Sequence, residues 1–317
     1  MKLRGINFGP VWDASGTQGF FGEGYPYHKV FRCIGLDFTG STFVAKTMTL
    51  EPRKGNMRLR SDGTFPWWEG KPKCIVVRPL QGVVLNAVGL SNPGAEALFR
   101  QKKWQKRWKP FFLSFMAVKE KKEERLRELR EFVYVFRRYM PEFSAPVGLQ
   151  LNYSCPNVGL HVDELIEEVY EGLSIAGKLN IPLVPKFNAL LPVSAAVKIA
   201  KHPSCDALCV SNTIPWGKLP ERIDWQGIFG TAASPLAEFG GGGLSGAPLL
   251  PIVIQWVKDA CASSVEKPIN AGGGILRSHD IDALFSAGSS SVSIGSIVML
   301  RPWRVQKTIR HARGAFR

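Results

Sequence analysis

The sequence predicts an α/β protein, a closed (β/α)8 TIM barrel with loop insertions. Three observations lead there. Short apolar, often β-branched runs alternate with stretches of helical periodicity, about eight such runs along the chain. Five of the runs end abruptly in polar or small residues: Lys46, Asn152, Lys186, Asn212 and Gly295-Ser296. The chain has 317 residues, 45% of them hydrophobic, which is enough for one large core. No internal repeat or low-complexity linker divides it, so the expectation is a single domain, 1–317, with an insertion at about 51–82. The same elements could instead build a doubly wound open sheet.

Composition narrows the class. No apolar run is long enough to span a bilayer, and Met1-Lys2-Leu3-Arg4-Gly5 lacks the apolar core of a signal peptide, so a soluble cytoplasmic protein is expected. The six cysteines contain no C-x-x-C pair, and Cys33, Cys74, Cys205, Cys209 and Cys261 read as buried free thiols. A net charge of +15 permits attraction to anions, nucleic acid or an acidic membrane surface, and is silent about fold.

In chain order, Pro10 to Gly16 reads as a short strand ending in small residues, and Thr42 to Thr49 as a β-branched strand. Glu51 to Trp68 is a polar, glycine- and arginine-rich excursion, and an apolar run from Val83 turns sharply before Gly94. Strands follow at 110–117, 147–153, 183–186, 207–213, 267–272 and 291–296. Between or after them, helical spacing covers 119–139, 163–179, 193–201, 247–262, 278–287 and 302–312. Leu126, Leu129, Val133 and Phe136 line one face of the first; Leu165, Ile166, Val169, Leu173 and Ala176 line one face of the second.

The stretch Leu149 to Asn157 carries the chemistry. Alternating Val147, Leu149 and Leu151 explain a buried strand, but not the amides, hydroxyl and thiol of Asn152-Tyr153-Ser154-Cys155-Pro156-Asn157. Such groups at a strand's carboxyl end sit where barrels and open sheets bind ligands. The glycine turns Gly272-Gly273-Gly274-Ile275 and Gly295-Ser296, each running toward a helix, suit a phosphate, because backbone N–H groups can approach it closely. Gly240 to Gly243 and Leu244-Ser245-Gly246 add a flexible loop for the same group.

These motifs together resemble the dihydroorotate dehydrogenase family. The resemblance rests on Asn152-x-Ser-Cys155-Pro-Asn157, on Lys46-Thr47 followed by Glu51-x-Arg53-x-Gly55-Asn56, and on Asn86-x-x-Gly89-Leu90-x-Asn92. Gly242-Gly243-Leu244-Ser245-Gly246, Ala271 to Ile275 and Ile294-Gly295-Ser296 extend it, in the family's order, from about Ala14 to Ser296. The resemblance implies an FMN-containing barrel oxidising dihydroorotate to orotate in pyrimidine (UMP) biosynthesis. A proton leaves C5 and a hydride passes from C6 to flavin N5. In the cysteine-type, class 1 soluble enzymes the residue matching Cys155 is the base.

Other roles carry over residue by residue. Ala14, Ser15 and Gly16 resemble the segment against the flavin, with Thr47 beside it, and Lys46 the lysine shared between flavin and substrate carboxylate. Lys186 resembles the lysine beside flavin N1 and O2, where positive charge favours the reduced, anionic ring. Asn86, Asn152, Asn157 and Asn212 resemble the amides that read the pyrimidine, with Thr213 in place of a small hydroxyl residue. The backbone of Val88-Gly89-Leu90 resembles the turn that takes the carboxylate, and Gly243, Gly246, Gly273, Gly274, Gly295 and Ser296 the phosphate loops. The segment from Val158 to Asp163 is shorter than the lid usual in the family, and the insertion has no assigned counterpart.

Partners and rivals stay open at this level. Fumarate, or NAD through an iron–sulfur flavoprotein partner, could take the electrons, and a homodimer fits the family. The rivals are a dihydrouracil or dihydrothymine dehydrogenase, and a flavin-binding barrel of weakened catalysis with a basic interaction surface. Arg100 to Lys109 mixes cations with two tryptophans, and Arg301, Arg304, Lys307, Arg310 and Arg313 recur every third residue. Both read more simply as solvated helix faces than as nucleic-acid or membrane contacts.

Overall fold

The computed structural model describes residues 1–153, 162–210 and 212–316. A hairpin of β1 (Lys2–Leu3) and β2 (Ile6–Asn7) precedes β3 (Val11–Asp13). Next come α1 (Pro26–Phe31), a hairpin of β4 (Ile75–Arg78) and β5 (Val83–Asn86), and α2 (Ala95–Arg100). Strands and helices then alternate through β6 (Phe111–Phe115), α3 (Lys122–Tyr139), β7 (Val147–Asn152), α4 (Val162–Gly177), β8 (Leu183–Phe187), α5 (Val193–Ala200) and β9 (Leu208–Val210). After β10 (Ile214–Pro215), α6 (Trp225–Phe229) and β11 (Gly243–Gly246) the alternation resumes. It continues with α7 (Leu249–Ala262), β12 (Ile269–Gly272), α8 (Ser278–Ser286), β13 (Ser291–Ile294), α9 (Ser296–Leu300) and α10 (Val305–Ala315).

Seven of these strands form one parallel sheet in the order β3-β13-β12-β9-β8-β7-β6. Its two edges meet the same stretch of chain. Thr42 exchanges backbone hydrogen bonds with Val11 and Asp13, at 2.8 and 2.9 Å. Phe43 and Ala45 do so with Phe112, and Met48 with Ser114 and Met116. Parallel bridges Trp12↔Thr42, Val44↔Phe112 and Met48↔Phe115 follow. Residues 42–48 are thus the eighth stave, joined by isolated bridges rather than a regular ladder, and they close the sheet so that neither edge is left unpaired.

The period of two along each stave decides what the barrel holds. Trp12, Val44, Phe112, Val184 and Cys209 pack with Phe8 and Leu3 into a cluster inside the barrel, with the Phe8 and Phe112 rings stacked at 4.2 Å. Two residues further along, the same inward faces present Lys46, Ser114 and Lys186, and β7 presents Asn152 beyond Gln150. Polar groups therefore start where the apolar filling stops.

Outward faces meet the helices. Phe115 stacks on Phe132 of α3 at 3.9 Å, and Leu126, Leu129, Val133 and Phe136 are buried as their spacing requires. On α4, Leu165, Val169, Leu173 and Ala176 are buried, and Ile166 is partly so. Helix α3 starts at Lys122 rather than 119, because the Val118 and Lys119 N–H groups donate to the Glu128 carboxylate instead of to helical carbonyls.

The run from Val83 is β5, which pairs antiparallel with β4 and β11 in a separate four-stranded sheet, β10-β11-β5-β4. Two expectations need correction. Residues 101–109 are turns after α2 rather than a helix face, with Trp104 fully buried, its Nε1 donating to the Phe20 carbonyl, and Trp108 exposed. Cys33 and Cys261 are exposed thiols, unlike Cys74, Cys205 and Cys209. Among the described residues no helix is long and apolar enough to cross a membrane.

Candidate active site

A cavity of about 580 Å³ opens where the staves end. β3 runs into Ala14, Ser15 and Gly16; the eighth stave supplies Lys46 and Thr47; β7 and β8 supply Asn152 and Lys186; and β9 leads to Asn212 and Thr213. β5 and the turn after it contribute Asn86, Val88, Gly89 and Leu90. β12 and β13 run into Gly273, Gly274, Gly295 and Ser296. All of these line the one cavity. Gly243 and Gly246 stand behind its wall, while Ser245 between them lines it. Cys155 and Asn157 lie outside the described residues, as does most of the short segment after them.

The two lysines dominate the electrostatics. Lys46 is 7% exposed; its ammonium donates to the Ser91 carbonyl and lies 4.8 Å from the centre of the Phe20 ring. Burial pushes its pKa down to about 7, against the attraction of Cys74 and Glu23. Lys186 is equally enclosed, burial again lowers its pKa, and its ammonium has no hydrogen-bond partner among the described residues. Two buried ammonium groups facing one cavity are costly without an anion, and an anionic ligand would restore what burial removes.

Amides and hydroxyls are fixed by one another. Asn212 Nδ2 donates to Asn152 Oδ1 at 2.8 Å, and the Thr213 N–H donates to Asn212 Oδ1 at 3.0 Å. Asn86 Nδ2 donates to the Gly243 carbonyl at 3.4 Å. A side chain at Gly243 would collide with Thr213, since a Cβ there would lie 2.2 Å from its Oγ1. Gly243 therefore positions two wall residues. Ser15, Thr47 and Ser114 form a chain of hydroxyl contacts at 2.8 and 2.9 Å.

The turn after β5 is held in an uncommon shape: Gly89 and Leu90 have φ of +68° and +58°. Arg53 Nε donates to the Gly89 carbonyl at 3.0 Å, Asn56 Nδ2 to Ala87 at 2.7 Å, and Asn92 Nδ2 to Leu90 at 2.8 Å. The start of the insertion is thus a brace for this turn. On the opposite wall, Gly274 has φ +83°, and a Cβ there would lie 2.7 Å from the Gly246 carbonyl oxygen and the Leu250 nitrogen. Only glycine leaves the backbone bare at that point, as a phosphate cradle needs.

With this geometry in hand, the family assignment can be made. The model of the dihydroorotate dehydrogenase family matches residues 1–312. The chain belongs to that family. Among relatives, the catalytic subunit of dihydroorotate dehydrogenase B (NAD(+)) of Endomicrobium trichonymphae is 27% identical over 92% of this chain and 83% of its own length. The corresponding subunit of Anoxybacillus flavithermus is 29% identical over 96% and 86%. Dihydroorotate dehydrogenase A (fumarate) of Lacticaseibacillus paracasei is 29% identical over 90% and 87%. The crystal structure of dihydroorotate dehydrogenase from Eimeria tenella in complex with ferulenol superposes with a TM-score of 0.68 at 20% identity, covering 98% of this chain and 82% of that one. That likeness speaks to the barrel fold.

Dihydroorotate dehydrogenases are flavin oxidoreductases of pyrimidine biosynthesis, and the cavity suits a flavin. The bare backbone at Gly274 and the Lys186 ammonium, without a hydrogen-bond partner among the described residues, offer what a phosphate and an electron-rich ring require. Sequence reasoning missed the aromatic side of this dehydrogenase cavity. Tyr25, Tyr27, Phe31 and Phe65 line it, and the Tyr25 hydroxyl donates to the Gly16 carbonyl at 2.7 Å. Their one signal is Tyr25-Pro26-Tyr27, with proline setting the start of α1, and aromatic residues there read equally well as core.

Proposed function

We propose that this chain is a cytoplasmic, cysteine-type dehydrogenase that oxidises dihydroorotate to orotate, with FMN as its flavin. The carrying observation is that Lys46, Lys186, Asn86, Asn152 and Asn212 all line one cavity with the turn Val88–Leu90. A bound flavin would supply the hydride-accepting group. Lys186 would hold positive charge for its ring, and Gly273, Gly274, Gly295 and Ser296 would offer backbone to its phosphate. Lys46 and the turn at Val88–Leu90 hold the substrate carboxylate; Asn86, Asn152, Asn157 and Asn212 read the ring's alternating donors and acceptors.

Cys155 takes the C5 proton. In the sequence it follows Asn152, the last residue of β7, by three positions, and the thiolate is the form that accepts the proton. Lys46 and the polar turn favour a carboxylated substrate over dihydrouracil. As the relatives from Endomicrobium and Anoxybacillus are catalytic subunits of NAD(+) enzymes, an iron–sulfur flavoprotein companion is the proposed route to NAD.

Steady-state assays with dihydroorotate and dihydrouracil test the reading. Turnover is expected with the first and less than about a hundredth of it with the second. Cys155→Ala is expected to keep its flavin and lose substrate-driven reduction. Equal turnover of both substrates, or unchanged reduction in the variant, would overturn the assignment.

A further inference from the structure

The turn after β5 shows one face to the cavity and the other to residues 53–57. On the second face its carbonyls are taken up in succession. Asn56 Nδ2 donates to the Ala87 carbonyl at 2.7 Å, the Asn56 N–H to the Val88 carbonyl at 2.9 Å, and Arg53 Nε to the Gly89 carbonyl at 3.0 Å. In a trans peptide the N–H points opposite to the carbonyl that precedes it. The N–H groups of Val88, Gly89 and Leu90 are therefore turned away from 53–57, toward the cavity these three residues line. None of the three meets an acceptor among the described residues. Successive N–H groups on a left-handed turn make a seat for an anion.

Ser91 follows this turn and is buried behind it, 1% exposed. Its oxygen accepts the Met57 N–H at 3.0 Å, and its hydroxyl donates to the Val88 carbonyl at 3.1 Å. A hydroxyl has one proton, and the contact with Met57 uses a lone pair, so the proton is left for Val88. That bond acts on the middle peptide of the seat, the one whose N–H belongs to Gly89. Residue 55 must be glycine for the approach: its φ is +53°, and a Cβ there would lie 2.3 Å from Ser91 Oγ and 2.7 Å from the Val88 carbonyl oxygen.

The backbone of the same residue reaches Lys46. The Ser91 carbonyl accepts from the Lys46 ammonium, which the Phe20 ring confines from another side at 4.8 Å. The Lys46 N–H donates to the Gly19 carbonyl at 2.9 Å, so the start of the side chain is fixed as well. Among the described residues the Ser91 carbonyl is the ammonium's one hydrogen-bond acceptor. A single buried serine thus orients an N–H donor through its side chain and an ammonium through its carbonyl. Both belong to the wall assigned to the substrate carboxylate, whereas Ser91 itself does not line the cavity.

We propose that Ser91 is a positioning residue for the substrate carboxylate, joining the N–H seat at Val88–Leu90 to the Lys46 ammonium. The inference rests on the reading of Lys46 and that turn as the carboxylate site, and adds a residue that lies behind both. A grip on the carboxylate acts in the ground state and the transition state alike, so its loss shows in KM rather than in kcat.

Calorimetric titration of the flavin-loaded protein with orotate, beside steady-state assays on dihydroorotate, tests it. Ser91→Ala is expected to raise the orotate Kd and the KM for dihydroorotate roughly tenfold. Its kcat and flavin content should stay within about twofold of the parent. Ser91→Cys keeps a weaker donor at the same place and should fall between parent and Ser91→Ala, and it carries the comparison if the alanine variant fails to fold. A packing role would instead make the larger cysteine the worse of the two. Phe132→Ala, which loosens the fold outside the cavity wall, should leave the orotate Kd unchanged. An unaltered orotate Kd in the Ser91 variants that fold, a loss confined to kcat, a cysteine variant worse than alanine, or equal loss in Phe132→Ala would overturn the proposal and leave the functional reading standing. A parent that binds no orotate would overturn the reading, and this proposal with it.

Discussion

Lys46 has a titration that can be read from outside. Its pKa of about 7 in the folded chain arises from burial, and the unfolded value is near 10.5. The unfolded chain therefore keeps a proton that the folded chain gives up between those values. Burying Lys46 costs most below pH 7 and progressively less as pH rises. A bound carboxylate reverses the balance by favouring the ammonium. Orotate affinity should be full below about pH 7 and fall up to tenfold per pH unit above it, read by titrating the flavin absorbance from about pH 6 to 9. Lys46→Ala should flatten that profile and weaken binding roughly a hundredfold. A parent profile that is already flat would remove Lys46 from the carboxylate.

At the scale of elements, the site depends on turns that staves alone do not determine. Gly274→Ala forces a side chain into a positive-φ position against the Gly246 carbonyl. It should cost about 1–3 kcal/mol and lower the flavin retained on purification, seen in melting curves and in the ratio of visible to ultraviolet absorbance. Arg53→Ala releases the Gly89 carbonyl. The expected outcome is a roughly tenfold rise in KM for dihydroorotate with kcat and flavin content nearly unchanged, and a fall in kcat alone would contradict the brace. These elements also mark the limit of what the sequence makes legible. Val83–Asn86 reads as an apolar run, but one of its two strand partners is Gly243–Gly246, far along the chain, and no local pattern specifies that pairing. Arg53 and Asn56 belong to a motif that carries the resemblance, but their part as a brace is not legible there, because it acts through the Gly89 and Ala87 backbone carbonyls.

For the molecule as a whole, the barrel is legible because each stave repeats one rule: apolar on the faces, polar at the carboxyl end. Residues 42–48 obey it in composition although their hydrogen bonding is irregular, so the closing stave is recognisable before its bridges are seen. The aromatic wall is not legible, since Tyr27 or Phe65 in a sequence looks the same lining a cavity as filling a core. Packing between sheet and helices carries the stability. Phe132→Ala, which removes the ring stacked on Phe115, should cost about 3–5 kcal/mol in urea unfolding while leaving the flavin spectrum of the folded protein unaltered.

The central claim is that one end of the barrel holds a dihydropyrimidine against a flavin. Mixing the purified, oxidised protein with dihydroorotate in the absence of oxygen addresses it most directly. The account predicts a yellow protein that bleaches, with one orotate formed per flavin reduced. A protein that stays colourless after reconstitution with FMN, or that stays yellow in the presence of dihydroorotate, would contradict it.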